Sequence, residues 1–486
     1  MMKAFKDRAQ HGYYCTWLAQ NYIVDRPEFA TRGARAPRNM INAETLFGEG
    51  GIARQWDGIR RELLLVLDDG WDVPYETEFD KTLFGSLEVD TARFPFAVGR
   101  PEERLKALSD KVKSFGWKGM GIWVAAQRCG VDGQRPFSDA DKEYWRERIL
   151  WSKHAGVAYW KVDWGANEQN ARFRRFLTEA AAELYPELVI EHAICLPPFN
   201  GARHDGSPVL ERFADIAEYA ELSETAVGNS EVFRTYDVSP ALSVATTLDR
   251  AARLLPHARG YLNVEDELYI AAALGCQFGI MRSALGKGAD AWDDSDRLRE
   301  AEAAVAWQKT ASPFIGGSVN VSDEILTDAY EFADGEMWFA KVNGKIVRQS
   351  APSAVARNCE LPETSCGRSG LKPFTAAALH PSGAYSAVVL PRTVKGVRRE
   401  YVGGEVRFKC GAASTFALFG NADRVTFECE NTIGSVSARC LLGGGATDLS
   451  HTVLPSRKGF SVDGETIRRL NVVGDKSAPA VVFEAR

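Results

Sequence analysis

The residues with the clearest chemical content are carboxylates standing where hydrophobic runs end. Leu63-Leu64-Leu65-Val66-Leu67 runs straight into Asp68-Asp69-Gly70-Trp71. Five consecutive apolar residues read as a strand buried on both faces. Two carboxylates at its end are costly unless a ligand or a partner uses them. Paired acids beside an indole offer acceptors for hydroxyl groups and an apolar face for the C–H side of a sugar ring. The same order of residue types returns in Val157-Ala158-Tyr159-Trp160-Lys161-Val162-Asp163-Trp164. Lys161 and Asp163 are two residues apart, so on a strand both side chains leave the same face. An ammonium beside a carboxylate favours its ionised form, and an ionised, positioned carboxylate is a nucleophile for glycoside hydrolysis. A buried ion pair that only closes a barrel is the competing reading, with Trp160 and Trp164 as packing.

A second acid follows in Phe233-Arg234-Thr235-Tyr236-Asp237-Val238, after a sixth strand. At the mouth of a barrel it would face Asp163, and retaining glycosidases hold two carboxyl groups roughly 5–5.5 Å apart. Arg234 would then meet substrate hydroxyls or hold a carboxylate; a surface Arg–Asp pair is the alternative. Glu191 and His192 stand together, and strand alternation sends one of them to the interior, where a hydrogen-bonded core histidine is the simpler role. The seven histidines are dispersed. No HExxH, GxSxG or phosphate-loop pattern occurs, so neither a metal nor a cofactor is expected.

These residues need a scaffold that brings strand ends together. Strand-like and helix-like segments alternate through the first part: strands at 63–67, 119–124, 157–162, 188–194, 218–222, 232–235, 260–263 and 280–285, and helices at 43–56, 102–115, 141–154, 172–184 and 298–310. Repeated β-then-α units imply parallel strands joined by right-handed crossovers. About eight of them fit a (β/α)8 TIM barrel better than an open doubly wound sheet, since no GxGxxG turn follows the first strand. In such barrels the functional groups sit at the C-terminal ends of the strands. All 12 tryptophans and all 6 methionines precede residue 339, whereas five of the nine cysteines follow residue 358. That shift separates a barrel over 1–325 from an antiparallel β-sandwich over 376–486. Residues 326–375 form a connecting segment with a hairpin around Asn343-Gly344.

With 486 residues the chain can bury two cores, and 45% hydrophobic with 26% charged content is that of a globular protein. A net charge of -6 with interspersed signs gives no nucleic-acid footprint. No apolar run reaches the roughly 18 residues of a membrane span. The polar, basic residues 1–11 do not read as a signal peptide. Cysteines without CxxC spacing fit reduced thiols, so the expected compartment is the cytoplasm. Homo-oligomerisation is left open.

Taken together, Asp68-Asp69-Gly70-Trp71, the Gly116-Trp117-Lys118 turn before Gly119-Met120-Gly121-Ile122-Trp123, and Tyr159-Trp160-Lys161-Val162-Asp163 resemble the melibiase-type α-galactosidase clan, glycoside hydrolase family 27 with family 36 as its relative. Arg93-Phe94-Pro95 and Gly260-Tyr261-Leu262-Asn263 are similar to two further segments of that group. The resemblance covers about residues 11–310. It implies Asp163 as nucleophile and Asp237 as acid/base, with Asp68 and Asp69 as ligands of the 4- and 6-hydroxyls. It also implies Lys161, Arg234, Trp123 and Cys195 as sugar contacts, and Trp17 and Trp71 as pocket walls. The chain departs from the group in three places. Arg234 and Asp237 are three residues apart where the family has four, which brings in Glu231 and Glu224 as alternative acids. Leu196-Pro197-Pro198 follows Cys195, at the position that reads the 2-substituent. Val264-Glu265-Asp266-Glu267 stands where the family favours Asp-Pro-Asp. The expected substrate is a terminal α-galactoside or a sugar sharing its axial 4-hydroxyl. An α-N-acetylgalactosaminidase, a β-L-arabinopyranosidase, a transglycosylase and a catalytically inactive carbohydrate-binding barrel are the alternatives.

Overall fold

Seven parallel strands carry the first part: β1 (Tyr13–Cys15), β2 (Leu64–Leu67), β3 (Gly119–Val124), β4 (Val157–Val162), β5 (Val189–Ala193), β6 (Val232–Arg234) and β7 (Gly279–Ile280). The computed structural model describes residues 12–17, 19–20, 36–168, 170–193, 232–234, 267–277, 279–280, 295–314, 317–332, 345–368, 370–394, 397–400, 403–471 and 478–486. The strands lie in the order β6-β5-β4-β3-β2-β1-β7, so β1 to β6 pair with their sequence neighbours and β7 pairs with β1. Every residue of β2 and β3 is buried, as runs covered on both faces require.

Helices alternate with these strands: α1 (Ala36–Asn39), α2 (Ala43–Phe47), α3 (Pro101–Ser114), α4 (Lys142–Ala155), α5 (Ala171–Leu184), α6 (Glu267–Ala273) and α7 (Ser295–Thr310). In α3, Pro101 opens the helix, Glu102 and Glu103 sit in the first turn and Lys111 and Lys113 in the last, complementing the helix dipole. Its Leu105, Leu108 and Val112 form the buried stripe. Gly156 ends α4 at φ 63, a left-handed cap that suits glycine. No described helix is long and apolar enough to cross a membrane.

The sheet is curled. In a flat sheet β1 and β5, four places apart, would be about 19 Å from each other. Yet Tyr13 on β1 donates a hydrogen bond to Glu191 Oε2 on β5 at 2.8 Å, and Tyr159 on β4 reaches the same oxygen at 2.6 Å. Glycines make room for those rings. A Cβ on Gly279 would lie 2.3 Å from the Tyr13 ring, and one on Gly121 would lie 2.9 Å from Tyr159 Cβ. Among the described residues this is a partial (β/α) barrel. The expected strand at 260–263 lies outside the described residues.

The second part is β-rich but not purely antiparallel. One sheet has eight strands, in the order Gly443–Asp448, Val436–Cys440, Ala480–Ala485, Thr415–Gly420, Tyr385–Leu390, Phe374–Leu379, Ala354–Arg357 and Val319–Val321. A second has four: Glu363–Thr364, Glu405–Lys409, Arg424–Glu428 and Gly459–Asp463. Phe408, Phe427 and Phe460 of the small sheet pack with Phe416 and Phe483 of the large one. Three pairings are parallel, among them Tyr385–Leu390 with Thr415–Gly420. The reason is connectivity: the chain leaves the large sheet, builds Glu405–Lys409 in the small one, and returns in its original direction. The large sheet also recruits Val319–Val321 and Ala354–Arg357, which the sequence reading placed in the barrel and the connecting segment. The sequence predicts a hairpin over Glu336–Arg348 turning at Asn343-Gly344; instead Lys345–Pro352 pairs with Ile325–Phe332, Lys345 opposite Phe332, and Asn343-Gly344 lies outside the described residues.

Arg357 fastens the two parts. It is 2% exposed, donates to the carbonyls of Leu274, Gly275 and Phe314 at 2.9, 3.2 and 2.7 Å, and stacks on the Phe314 ring at 3.6 Å. Within the barrel, Asp72 pins the loop after β2. Its Oδ2 accepts the Leu87 N–H, and Leu87 is held at φ 56. Tyr144 and Arg148 of α4 anchor the adjoining Gly85 and Ser86 carbonyls. Burial raises the Asp72 carboxyl to about 7, with Asp69 adding to the shift and the Leu87 N–H opposing it.

Two stability outcomes follow from these contacts. Arg357→Met removes the guanidinium donor from the buried Leu274 and Phe314 carbonyls, while Gly275 keeps the Phe314 N–H, and should cost on the order of 3 kcal/mol in urea unfolding; an unchanged midpoint would show that the junction does not need it. Asp72 contributes stability fully below the ordinary carboxyl value of 3.8 and loses it as pH rises through about 7. Asp72→Asn should therefore gain on the wild type in unfolding midpoint as the buffer moves from pH 5 to pH 8. A difference that stays constant over that range would contradict a buried titrating Asp72.

Candidate active site

The C-terminal ends of β1 to β4 converge on one charged cluster. Strand alternation sets it one layer above the tyrosines: Cys15 is in phase with Tyr13, and Lys161 and Asp163 with Tyr159. Asp68, 2% exposed, is the hub. Its Oδ2 accepts from Cys15 Sγ at 2.8 Å and from Lys161 Nζ at 2.5 Å, and its Oδ1 accepts the Asp69 N–H at 2.8 Å. Thr16 Oγ1 accepts the Asp68 N–H at 2.9 Å. Lys161 Nζ also lies 3.5 Å from Asp163 Oδ2, so one ammonium bridges the ends of β2 and β4. The Trp123 indole, at the end of β3, donates to the same Asp163 oxygen at 3.2 Å.

Asp69 points to a different partner. Arg38, from α1, grips both of its oxygens, Nε to Oδ1 at 2.8 Å and Nη2 to Oδ2 at 2.7 Å. Burial raises the Asp69 carboxyl to about 6; Arg38 opposes this, while Asp68 and Asp163 add to it. Gln20 holds the Asp69 carbonyl at 3.1 Å. Gly70 explains how α1 comes so close: at φ 115, a Cβ there would stand 2.8 Å from the Arg38 Cα. Arg93 fixes the backbone of the same segment, donating to the Arg38 carbonyl at 2.7 Å and to that of Val73 at 2.6 Å.

Aromatic rings wall the cluster on one side. Trp164 packs on Trp123 at 5.3 Å and on Phe84 at 4.9 Å between centroids. The Arg38 guanidinium lies 4.9 Å from the Phe79 ring and 5.0 Å from Phe84. The site thus offers carboxylate acceptors, two cations and indole faces, a set suited to a polyhydroxylated ring and to a nucleophilic carboxylate. Among the described residues no group of three His, Cys, Asp or Glu could hold a metal ion.

Of the residues singled out from sequence, the structure brings Asp68, Asp69, Trp123, Lys161 and Asp163 together. Trp71, expected as a pocket wall, is fully buried and donates its indole N–H to the Trp123 carbonyl at 2.8 Å. Trp17 is half-buried just past β1. Arg234 ends β6, opposite Ala193 of β5, and its side chain lies outside the described residues. Asp237, Cys195, Glu224 and Glu231 lie outside them altogether. Glu191 is the inward member of its pair. His192 turns outward, with Arg174 at its Nδ1 and Thr178 at its Nε2, a hydrogen-bonded core histidine. Sequence reasoning missed Cys15, Thr16, Gln20, Arg38 and Phe84. Cys15 was within reach through its two-residue spacing from Tyr13, but nothing local marks Arg38.

No family model matches the chain, and no curated protein matches it. Among solved structures the chain is similar to α-galactosidase I from Mortierella vinacea, with 11% identity over 98% of this chain and 96% of that one and a TM-score of 0.41. It is also similar to a GH27 β-L-arabinopyranosidase from Geobacillus stearothermophilus, with 11% identity over 92% of this chain and 93% of that one and a TM-score of 0.39. A third similar structure is an isomalto-dextranase from Arthrobacter globiformis T6, with 11% identity over 98% of this chain and 94% of that one and a TM-score of 0.32.

Proposed function

We propose that the protein is a retaining glycoside hydrolase that releases a terminal α-linked galactose, or a sugar sharing its axial 4-hydroxyl. One observation carries this reading: the Lys161 ammonium joins Asp68 to Asp163 at neighbouring strand ends, with the Trp123 indole N–H on the same Asp163 oxygen. A carboxylate held in this way is oriented and ionised, as a nucleophile must be. The curled run of parallel strands, with β7 paired to β1, is consistent with a (β/α)8 barrel, whose mouth is the usual place for such chemistry.

In this mechanism Asp163 attacks the anomeric carbon while Asp237 protonates the departing glycosidic oxygen. The product is a β-linked glycosyl-enzyme. Water, deprotonated by Asp237, then displaces Asp163 and restores the α configuration. Asp68 and Asp69 accept hydroxyls on the far side of the ring, and Arg234 and Cys195 complete the pocket. The substrate is a glycoside or oligosaccharide.

Asp163→Asn should lower turnover of an aryl α-galactoside by about three orders of magnitude or more. Asp163→Ala with added azide should yield the β-galactosyl azide, since a small anion replaces the missing nucleophile. Full activity in Asp163→Asn would sink the assignment. A panel of aryl glycosides differing at C2, C4 and C6 separates the galactosidase reading from the N-acetylgalactosaminidase and arabinopyranosidase alternatives. Sugar binding without turnover of any member would favour a binding barrel.

A further inference from the structure

We infer that Arg38 is a positioning residue that sets specificity: its two-point grip fixes the plane of the Asp69 carboxylate and turns the remaining lone pairs of Asp69 toward a sugar hydroxyl. The sugar part rests on the glycosidase reading above; the ion pair stands without it.

Three observations carry the inference. First, the contact is a fork on a fork, 2.8 and 2.7 Å, which fixes direction as well as distance. A carboxylate has about four lone-pair sites, so roughly two remain after Arg38 is bound. Second, Arg38 is not a swinging surface arginine. Phe79 and Phe84 lie 4.9 and 5.0 Å from its guanidinium, Gly70 admits its backbone, and Arg93 holds its carbonyl. Third, the pair is largely desolvated, with side-chain exposures of 17% for Arg38 and 4% for Asp69, so removing one partner strands the other.

The surroundings of Asp69 make the grip consequential. Asp68 precedes it, Asp163 faces it from β4 and Asp72 from the loop, while Arg93 acts on it at longer range. Lys161 is engaged by Asp68 and Asp163. Arg38 is therefore the one cation in contact with Asp69 among the described residues. Even so, the Asp69 carboxyl already stands at about 6. Without Arg38 it moves higher and becomes a neutral acid at pH 7, a donor where the sugar needs an acceptor.

The test compares wild type with Arg38→Met, Arg38→Lys and Asp69→Asn. The Asp69 carboxyl is followed by carbon NMR or infrared titration, with Asp69→Asn identifying its signal. It should titrate about one pH unit or more higher in Arg38→Met; an unchanged midpoint overturns the inference, with no substrate involved. In turnover of an aryl α-galactoside, Arg38→Met should raise KM about tenfold or more at pH 7 with a smaller change in kcat. The acid limb of kcat/KM should shift to higher pH. Arg38→Lys keeps the charge without the fork, so it should return the acid limb while KM stays raised. A merely structural Arg38 would lower folded protein and leave the limb in place, which also overturns the inference. If Arg38→Met does not fold, the Arg38→Lys split between KM and acid limb decides alone. A wild type inactive on every glycoside sinks the functional reading, and the carboxyl titration still judges the ion pair.

Discussion

Everything at the mouth of this barrel depends on one ammonium shared by two buried carboxylates. Lys161 Nζ stands 2.5 Å from Asp68 and 3.5 Å from Asp163, and all three side chains are less than a tenth exposed. Taking three charges out of water is tolerable only when they compensate one another at short range. That requirement fixes the relative height of β2 and β4, which are not neighbours in the sheet. The curl of the sheet and the charge bridge are therefore one constraint: a flatter sheet would separate the charges, and unpaired charges would open the sheet.

The layer beneath prepares this arrangement. Tyr13 and Tyr159 both donate to Glu191 Oε2, so the barrel floor is a hydrogen-bonded acid under two rings 5.1 Å apart. Gly121 and Gly279 supply the missing volume on the adjacent paired strands. Because side chains alternate with a period of two, filling this layer with tyrosine fixes Cys15 and Lys161 in the layer above. Packing below thus sets the register of the chemistry above.

How much of this is legible in the sequence varies with range. The strands β2, β3 and β4 announce themselves because a strand covered on both faces must be a continuous apolar run, and Lys161 with Asp163 follows from a two-residue spacing. Three features do not show locally. The parallel pairings in the β-rich part arise from crossovers between two sheets, which leave no mark in either strand. Trp71 looks like a pocket wall because of its place beside two acids, but its indole answers to a carbonyl 52 residues away. Arg38 meets Asp69 across 31 residues, and only the conformational freedom of Gly70 hints that another segment approaches there.

The adjacent acids that end β2 are consequently not equivalent. Asp68 accepts from Cys15, Lys161 and the Asp69 N–H, which uses about three of its four lone-pair sites. Asp69 accepts two side-chain bonds, both from Arg38, and keeps more capacity toward a ligand. Asp68 is tied through Lys161 to Asp163, the nucleophile of the proposed mechanism. Asp69 is tied to α1 and the loop of Phe84, on the side proposed to read the sugar. Two identical residues side by side divide the labour because strand geometry turns one inward to the ammonium and the other outward to the arginine.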